Sequence, residues 1–196
     1  MVRTSGAIKN DLLGYSNKNN KISREVRDGN LIRIITGLYE TNPNTPGYLL
    51  AGCIYGPSYI SFEYALSYYG LIPERVNTVT CATFDKKKKK KYDTSFGVFT
   101  YRDVPNDAFP EEVLLNIDGE YSYQIATPEK ALCDKLYILS PLNNYSNLEN
   151  MLFNDLRIEE IEFNKLDKDK IVKLSELYHS TNANLLAKYI RRNHNE

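Results

Sequence analysis

Apolar positions near the start of the chain change from a helical spacing to a strand-like one. Ile22 and Val26 stand four residues apart in an otherwise polar segment from Lys18 to Asp28, so both lie on one face of a predicted helix. Gly29 follows and is well suited to end that helix. A shorter helix is predicted around Gly6 to Leu13, which indicates two helices joined by a turn.

The segment after Gly29 is rich in β-branched residues, which favour extended backbone. Thr36-Gly37 divides it, and the pattern therefore predicts a hairpin or wing over Leu31 to Tyr39. Turn-forming residues are concentrated between Thr41 and Gly47 and indicate a linker. We therefore predict a winged helix-turn-helix-like module over residues 1–45 and a second domain over residues 46–196.

The second domain alternates strand and helix patterns and ends in helices. A helix is predicted from about Pro57-Ser58 to Gly70. Its predicted buried face consists of Tyr59, Phe62, Ala65, Leu66 and Tyr69. Strands are predicted on both sides of a lysine run and over Tyr121 to Ile125, and Thr127 is placed to cap a helix that begins at Pro128. We expect a mixed α/β (α+β) fold with a helical C-terminal tail.

Charge is distributed unevenly, although the formal net charge is zero. Residues 1–45 carry +3, residues 46–126 carry −2 and residues 127–196 carry −1. The lysine run, Lys86 to Lys91, is explained either as a hydrated hairpin tip or as a nucleic-acid contact. A neutral chain argues against indiscriminate coating of nucleic acid, but it is compatible with a local basic docking face.

The cysteines and histidines do not indicate a metal site. Cys53, Cys81 and Cys133 are far apart, and reduced buried thiols in a cytoplasmic protein are the simplest interpretation. The chain has two histidines, His179 and His194, and we expect no metal. No stretch approaches the ~18 apolar residues of a membrane span, and no apolar signal segment begins the chain, so we expect a cytoplasmic protein without membrane contact.

Sequence patterns typical of enzymes are mostly absent. There is no G-x-S-x-G, no Walker-type phosphate loop and no G-x-G-x-x-G. Glu129, Lys130 and Asp134 could form an acid–base group. Helix capping by Glu129 and an i,i+4 pair between Lys130 and Asp134 explain the same residues more simply. We therefore expect that the protein is not an enzyme, that it has no catalytic residue and that it binds no cofactor.

The outward face of the helix from Lys18 to Asp28 carries side chains of the types that bind DNA. On a helical wheel this face lies opposite Ile22 and Val26. Arginine and lysine can bind guanine edges or phosphates, asparagine can bind adenine, and serine can bind a phosphate. The predicted DNA-binding residues are Asn17, Asn20, Lys21, Ser23, Arg24 and Arg27 on the helix and Arg33 on the hairpin. A plain solvated basic face is the alternative.

Three segments carry a resemblance to a known family: "KISREVRDGNLIRIITGLYE", "GPSYISFEYALSYYGLIPERV" and "YQIATPEKALCDKLY". They resemble, in this order, the AbiEi family of antitoxins from type IV toxin–antitoxin and phage abortive-infection systems. The resemblance implies an N-terminal winged helix-turn-helix that represses its own operon by binding repeats in promoter DNA. It also implies a second domain that counters a nucleotidyltransferase-like toxin without a stable toxin complex. The implied recognition helix is Lys18 to Asp28, and the implied wing is Leu31 to Tyr39.

One departure from this pattern concerns the start of the module. A full winged module usually has three helices with the recognition helix third, whereas only a short segment precedes Lys18 here. Either the first helix is missing or the module is abbreviated. DNA binding would then be weaker, or would depend on homodimerisation or on the second domain. The rival interpretation is a protein-interaction module that binds a toxin or its target directly and retains a vestigial DNA-binding segment.

Overall fold

The computed structural model describes residues 1–193, and its N-terminal part is a small module of three strands and two helices. The elements are β1 (Val2–Thr4), α1 (Ser5–Asp11), α2 (Lys18–Arg27), β2 (Ile32–Ile35) and β3 (Leu38–Glu40). The strands form an antiparallel sheet in the order β1-β3-β2. Helix, turn, helix and hairpin therefore follow one another in the order of a winged helix-turn-helix.

A small apolar core holds the two helices against this sheet. It consists of Ile8, Ile22, Leu31 and Tyr39, with Leu12 and Val26 packed against it. The two predicted helices and the hairpin are confirmed, with their ends shifted by at most two residues. Strand β1 was not predicted, since three residues are too few for an alternating pattern to be recognised. Between Met1 and Ser5 the chain thus forms a strand that pairs with β3, and not a helix.

The rest of the described chain contains a six-stranded sheet and a set of helices. It begins with a 3₁₀ turn (Gly47–Leu50), α3 (Ala51–Ile54), β4 (Tyr59–Ile60) and α4 (Phe62–Tyr68). The further strands are β5 (Val79–Thr83), β6 (Lys90–Thr94), β7 (Gly97–Asp103), β8 (Val113–Asp118) and β9 (Tyr121–Ala126). The further helices are α5 (Pro128–Tyr137), α6 (Tyr145–Glu149) with a π-helical continuation (Asn150–Asp155), α7 (Glu160–Lys165), α8 (Lys168–Leu177) and α9 (Thr181–Asn193).

The larger sheet is mixed, with strand order β6-β7-β5-β4-β9-β8. Two antiparallel hairpins, β6–β7 and β8–β9, form its two ends. Between them, β5 runs parallel to β7, and the short β4 runs antiparallel to β5 and parallel to β9. The protein therefore has the predicted α+β fold, and β6 and β8 are the two edges of this sheet.

Helix α5 is the central helix of the larger part. Its sequence begins as predicted: Thr127 accepts a hydrogen bond from the backbone N–H of Lys130 at 3.3 Å, and Pro128 occupies the first turn. Seven of its ten residues are buried, because it packs against α4, β9, α8 and α9. The prediction of a helical C-terminal tail is confirmed as far as Asn193; His194 lies outside the described residues.

Two predictions for the second domain are corrected by the structure, and two of its strands were missed. The helix predicted from Pro57-Ser58 begins at Phe62, because Tyr59 and Ile60 form the central strand β4. Both residues of this strand are buried, so that no alternation distinguishes it from a helix. Strands β6 and β8 were not predicted, and β6 begins within the lysine run. Cys53 is exposed on α3, whereas Cys81 and Cys133 are buried as expected.

The two sheets are joined through apolar contacts that cross the predicted boundary. Ile34 and Leu38 point away from α2 and belong to the large core, so the small sheet is covered on both faces. Glu40 at the end of β3 is wholly buried, and its carboxylate accepts a hydrogen bond from the Tyr121 hydroxyl at 3.0 Å. Strand β2 lies beside the edge strand β6. Within residues 1–193, no helix combines the length and the apolar character required to cross a membrane.

Candidate nucleic-acid interface

Helix α2 is closed at both ends by local hydrogen bonds. At its start the Asn17 side chain accepts a hydrogen bond from the backbone N–H of Asn20 at 3.0 Å. At its end Gly29 has a φ of +80°, and the N–H of Asn30 reaches the carbonyl of Glu25 at 2.9 Å. This left-handed turn directs the chain into β2, and it therefore determines how the hairpin is placed next to the helix.

The buried face of α2 determines which side chains reach solvent. Ile22 is buried in the small core, and Val26 packs against it. On the opposite side Asn20, Ser23 and Arg24 are exposed, and their side chains have no hydrogen-bond or ion-pair partner among residues 1–193. Exposed, unpartnered donors on one face leave their full hydrogen-bonding capacity for a ligand. Arg27 is also exposed, but it lies 3.5 Å from the carboxylate of Asp28.

Two more of the predicted residues have partners within the module. Asn17 caps the helix, so its side-chain oxygen is used there. Lys21 is only partly exposed; it forms an i,i+4 ion pair with Glu25, and its ammonium group lies 5.5 Å from the centre of the Tyr15 ring. Hydrogen bonding to the Glu25 carboxylate raises the pKa of Lys21, and the same contact lowers the pKa of Glu25. Lys21 is thus less available than the helical wheel suggested.

The hairpin carries a further exposed arginine, Arg33. Its turn contains Gly37 with a φ of +85°, and the carbonyl of Gly37 accepts a hydrogen bond from the N–H of Ser5 at 2.8 Å. The turn is therefore attached to the start of α1. Arg33 lies on β2 opposite Tyr39, is exposed, and has no side-chain partner in the described part of the chain. Its guanidinium is of the type that binds phosphates.

The lysine run lies closer to this module than its place in the sequence suggests. Lys86 to Lys89 form the connection before β6, and Lys90 and Lys91 begin that edge strand beside β2. Lys91 lies 3.4 Å from Asp93, and Lys87 lies 3.8 Å from Asp85. Lys88, Lys89 and Lys90 are exposed and have no ion-pair partner within the described residues. The hairpin-tip alternative is corrected by the structure: β5 and β6 are separated by β7 in the sheet, so the run lies in the connection past β7 and in the first residues of β6, next to the wing.

The second group of polar residues, around Asp134, lies in the interior. Lys130 and Asp134 are wholly buried, with 3.5 Å between the ammonium nitrogen and the carboxylate. Asp134 accepts hydrogen bonds from Tyr59 at 2.9 Å, Ser61 at 2.6 Å and Tyr178 at 2.5 Å. Lys130 also donates to the backbone carbonyl of Ala108. We call these five side chains, Tyr59, Ser61, Lys130, Asp134 and Tyr178, the Asp134 cluster.

The environment of the Asp134 cluster favours a role in packing. Burial lowers the pKa of Lys130 although Asp134 opposes this change, and burial together with the Asp134 charge raises the pKa of Tyr59 and Tyr178. Both carboxylate oxygens are occupied by donors from β4, α5 and α8. Polar groups buried in this way link elements that are distant in sequence and leave no group directed towards a substrate.

Sequence reasoning identified the outward face of α2 but missed several neighbours of it. The position of β6 beside β2 and the burial of Glu40 depend on contacts across about fifty to eighty residues, for which a single sequence carries no local signal. Neither the scan against protein-family models nor the search of curated proteins finds a match to this chain. The resemblance to AbiEi antitoxins therefore stays a prediction from the three sequence segments.

Proposed function

We propose that this protein is a DNA-binding autorepressor that acts as the antitoxin of a type IV toxin–antitoxin system. The N-terminal module would bind promoter DNA of its own operon, with α2 in the major groove and the hairpin against a neighbouring phosphate. The partner would be a nucleotidyltransferase-like toxin that is countered without a stable complex. The protein would act in the cytoplasm.

The main observation in support of DNA binding is the exposed, polar outward face of α2. Asn20, Ser23 and Arg24 are exposed and unpartnered there, and Arg33 extends from the adjacent strand. An arginine and an asparagine are side chains that bind guanine and adenine edges, respectively, in the major groove. The lysines beside β2 favour phosphate contacts next to the same face, which would add affinity without adding sequence specificity.

The antitoxin part is supported by the three segments that resemble the AbiEi family. The first begins at Lys21 and forms the rest of α2 and the hairpin, and the second and third meet in the Asp134 cluster. Tyr59 and Ser61 come from the second segment, and Asp134 comes from the third. The residues that carry the resemblance thus form two packed units, one of which has the exposed basic face.

The experiment that tests this proposal is a fluorescence anisotropy titration of the full chain on DNA from upstream of its own gene. We expect tight, salt-sensitive binding, because each phosphate contact releases counterions. Arg24→Ala should weaken binding by about tenfold to a hundredfold if Arg24 contacts a base. Arg75→Ala is the matched control, since Arg75 is an exposed arginine outside the module. Equal affinities for the two variants would remove Arg24 from this role.

The rival function, direct binding of a toxin or its target, is separated by a second measurement. Co-expression with the adjacent gene product followed by size-exclusion chromatography detects a stable complex. A stoichiometric complex together with no affinity for the upstream DNA would favour the rival and overturn autorepression. Tight DNA binding without a stable complex would support the proposal.

A further inference from the structure

The edge strand β8 has a free hydrogen-bonding side. Within residues 1–193 it pairs with β9 alone, from Val113 opposite Ala126 to Asp118 opposite Tyr121. The N–H of Thr127 donates to the carbonyl of Glu112 at 2.9 Å, which makes these two residues a hydrogen-bonded pair. Hydrogen-bonded and non-hydrogen-bonded pairs alternate along an antiparallel ladder. The backbone groups of Val113, Leu115 and Ile117 are therefore directed away from β9.

The side chains of β8 are unusually apolar for an exposed edge. Leu114 is 45% exposed, Leu115 is 65% exposed and Ile117 is 79% exposed. Leu115 and Ile117 lie on the same face of the strand, opposite Gln124 and Ser122 of β9. The opposite edge of the sheet, β6, begins with lysines, which is a common protection against pairing with another chain. Edge β8 has no such protection and is open to an added strand.

Charge determines what kind of strand fits this edge. From Asp103 to Glu129 the chain has seven carboxylates and no lysine or arginine. Glu111 and Glu112 stand at one end of β8, and Asp118 and Glu120 stand at the other. Glu112 lies 3.0 Å from Lys170, while Glu111 and Glu120 have no ion pair within residues 1–193. Antiparallel pairing with a second copy would bring acidic ends together, which disfavours a homodimer through β8.

We propose that β8 binds an extended segment of a partner protein, with apolar residues at alternate positions and lysine or arginine at both ends. Its backbone would pair with Val113, Leu115 and Ile117, its apolar side chains would cover Leu115 and Ile117, and its basic ends would meet the carboxylates. This is strand addition to a sheet edge, in which the main chain provides affinity and the side chains provide specificity. The surface is separate from the outward face of α2, and the inference holds whether or not the protein binds DNA.

The test uses a synthetic peptide of about ten residues, alternating valine and threonine between Lys-Arg ends, added to the ¹⁵N-labelled full chain. We expect saturable amide shifts at Leu115 and Ile117, slower hydrogen exchange there, and weaker binding at high salt. A peptide with Glu-Asp ends should bind at least about tenfold more weakly. Ile117→Lys should weaken binding of the basic peptide to a similar extent. Ile161→Lys is the matched control, because Ile161 is 64% exposed on α7, and it should leave binding unchanged.

Three results would overturn the proposal. The first is the absence of saturable shifts at Leu115 and Ile117. The second is equal affinity for the basic and the acidic peptide, which would remove the argument from charge. The third is self-association of the free chain in sedimentation velocity that Ile117→Lys abolishes, which would identify a second copy as the occupant of β8.

Discussion

Two lysine–carboxylate pairs with the same i,i+4 spacing have opposite environments in this protein. Lys21 and Glu25 lie on α2 with side chains 24% and 23% exposed, whereas Lys130 and Asp134 lie on α5 with none of either side chain exposed. The first pair borders a surface of exposed polar side chains. The second is enclosed by two tyrosines, a serine and a backbone carbonyl. The same i,i+4 pattern therefore lies at the protein surface in α2 and in the core in α5.

The difference shows what burial does to a charge. An exposed pair contributes little to stability, because water screens it and its side chains remain mobile. A buried pair stabilises the fold only as long as both partners and their hydrogen bonds are present, since a single charge left in the interior is strongly unfavourable. Substitution at the two sites should therefore affect different quantities, folding at Asp134 and DNA affinity at α2.

The largest effect is expected from Asp134→Ala. It leaves the Lys130 ammonium without its counter-charge and three hydroxyls without their acceptor, and the free energy of unfolding should fall by about 3 to 5 kcal/mol. Urea denaturation followed by circular dichroism measures this loss. The double variant Lys130→Met/Asp134→Leu is the control, and it should recover part of the loss, because no buried charge remains although the three hydroxyls still lack their acceptor. A loss below about 1 kcal/mol for Asp134→Ala would show that the cluster does not stabilise the fold.

A smaller effect is expected at Glu40, the buried carboxylate between the two sheets. Burial by itself raises its pKa, but the Met1 ammonium group, the N–H groups of Asn42 and Thr41 and the Tyr121 hydroxyl together hold the pKa below its usual value. A carboxyl whose pKa is lower in the folded state stabilises the fold above its unfolded pKa, and this stabilisation is lost as the pH falls through the folded pKa. Glu40→Gln should therefore cost about 1 to 3 kcal/mol at neutral pH.

The pH dependence provides the control for this prediction. The difference in unfolding free energy between the original chain and Glu40→Gln should shrink as the pH falls below about 4.5. Urea unfolding at several pH values measures it. If this difference in unfolding free energy is the same at pH values above and below about 4.5, the Glu40 carboxyl does not have the lowered pKa assigned to it. Tyr121→Phe removes one donor and should lower stability by a smaller amount, roughly 1 kcal/mol.

The third prediction concerns the lysines beside the wing. Lys88→Gln/Lys89→Gln/Lys90→Gln should weaken DNA binding several-fold at low salt and leave sequence preference unchanged. The slope of log affinity against log salt should become shallower by about one for each lysine that contacts a phosphate. Anisotropy titrations at several salt concentrations measure both quantities. Lys188→Gln, at an exposed lysine of α9, is the control. An unchanged slope would show that the lysines form only a hydrated connection between β5 and β6 and do not contact phosphates.

The smallest effect is expected from Glu25→Gln on α2. It removes a negative charge beside the outward face and releases Lys21, so DNA affinity should rise by about two- to threefold. Stability should hardly change, because the pair is partly exposed and screened. The variant Glu176→Gln, which releases the exposed Arg191 at the other end of the chain, should leave DNA affinity unchanged. Reduced affinity of Glu25→Gln would instead indicate that the Lys21–Glu25 pair orients α2 for binding.

The parts of the fold that were predicted have clear local signals. Ile22 and Val26 recur at helical spacing, Gly29 ends α2, and Thr127 with Pro128 begins α5. Strands β5 and β7 were predicted from β-branched and aromatic residues. The parts that were missed lack such signals. Strand β1 is three residues long, β4 is two residues long and buried on both faces, and β8 carries apolar residues at adjacent positions.

Local order in this chain follows from short-range patterning: helix positions, caps, the wing turn and the outward face of α2 depend on interactions within a few residues. Which charged side chains are exposed and which are buried depends on packing between distant segments. Lys21 and Lys130 each have a carboxylate four residues on, Glu25 and Asp134, yet only the tertiary structure surrounds Lys130 with Tyr59 and Tyr178. The cost of burying a charge depends on all the groups that replace water around it, and those groups come from elements that only the complete fold brings together.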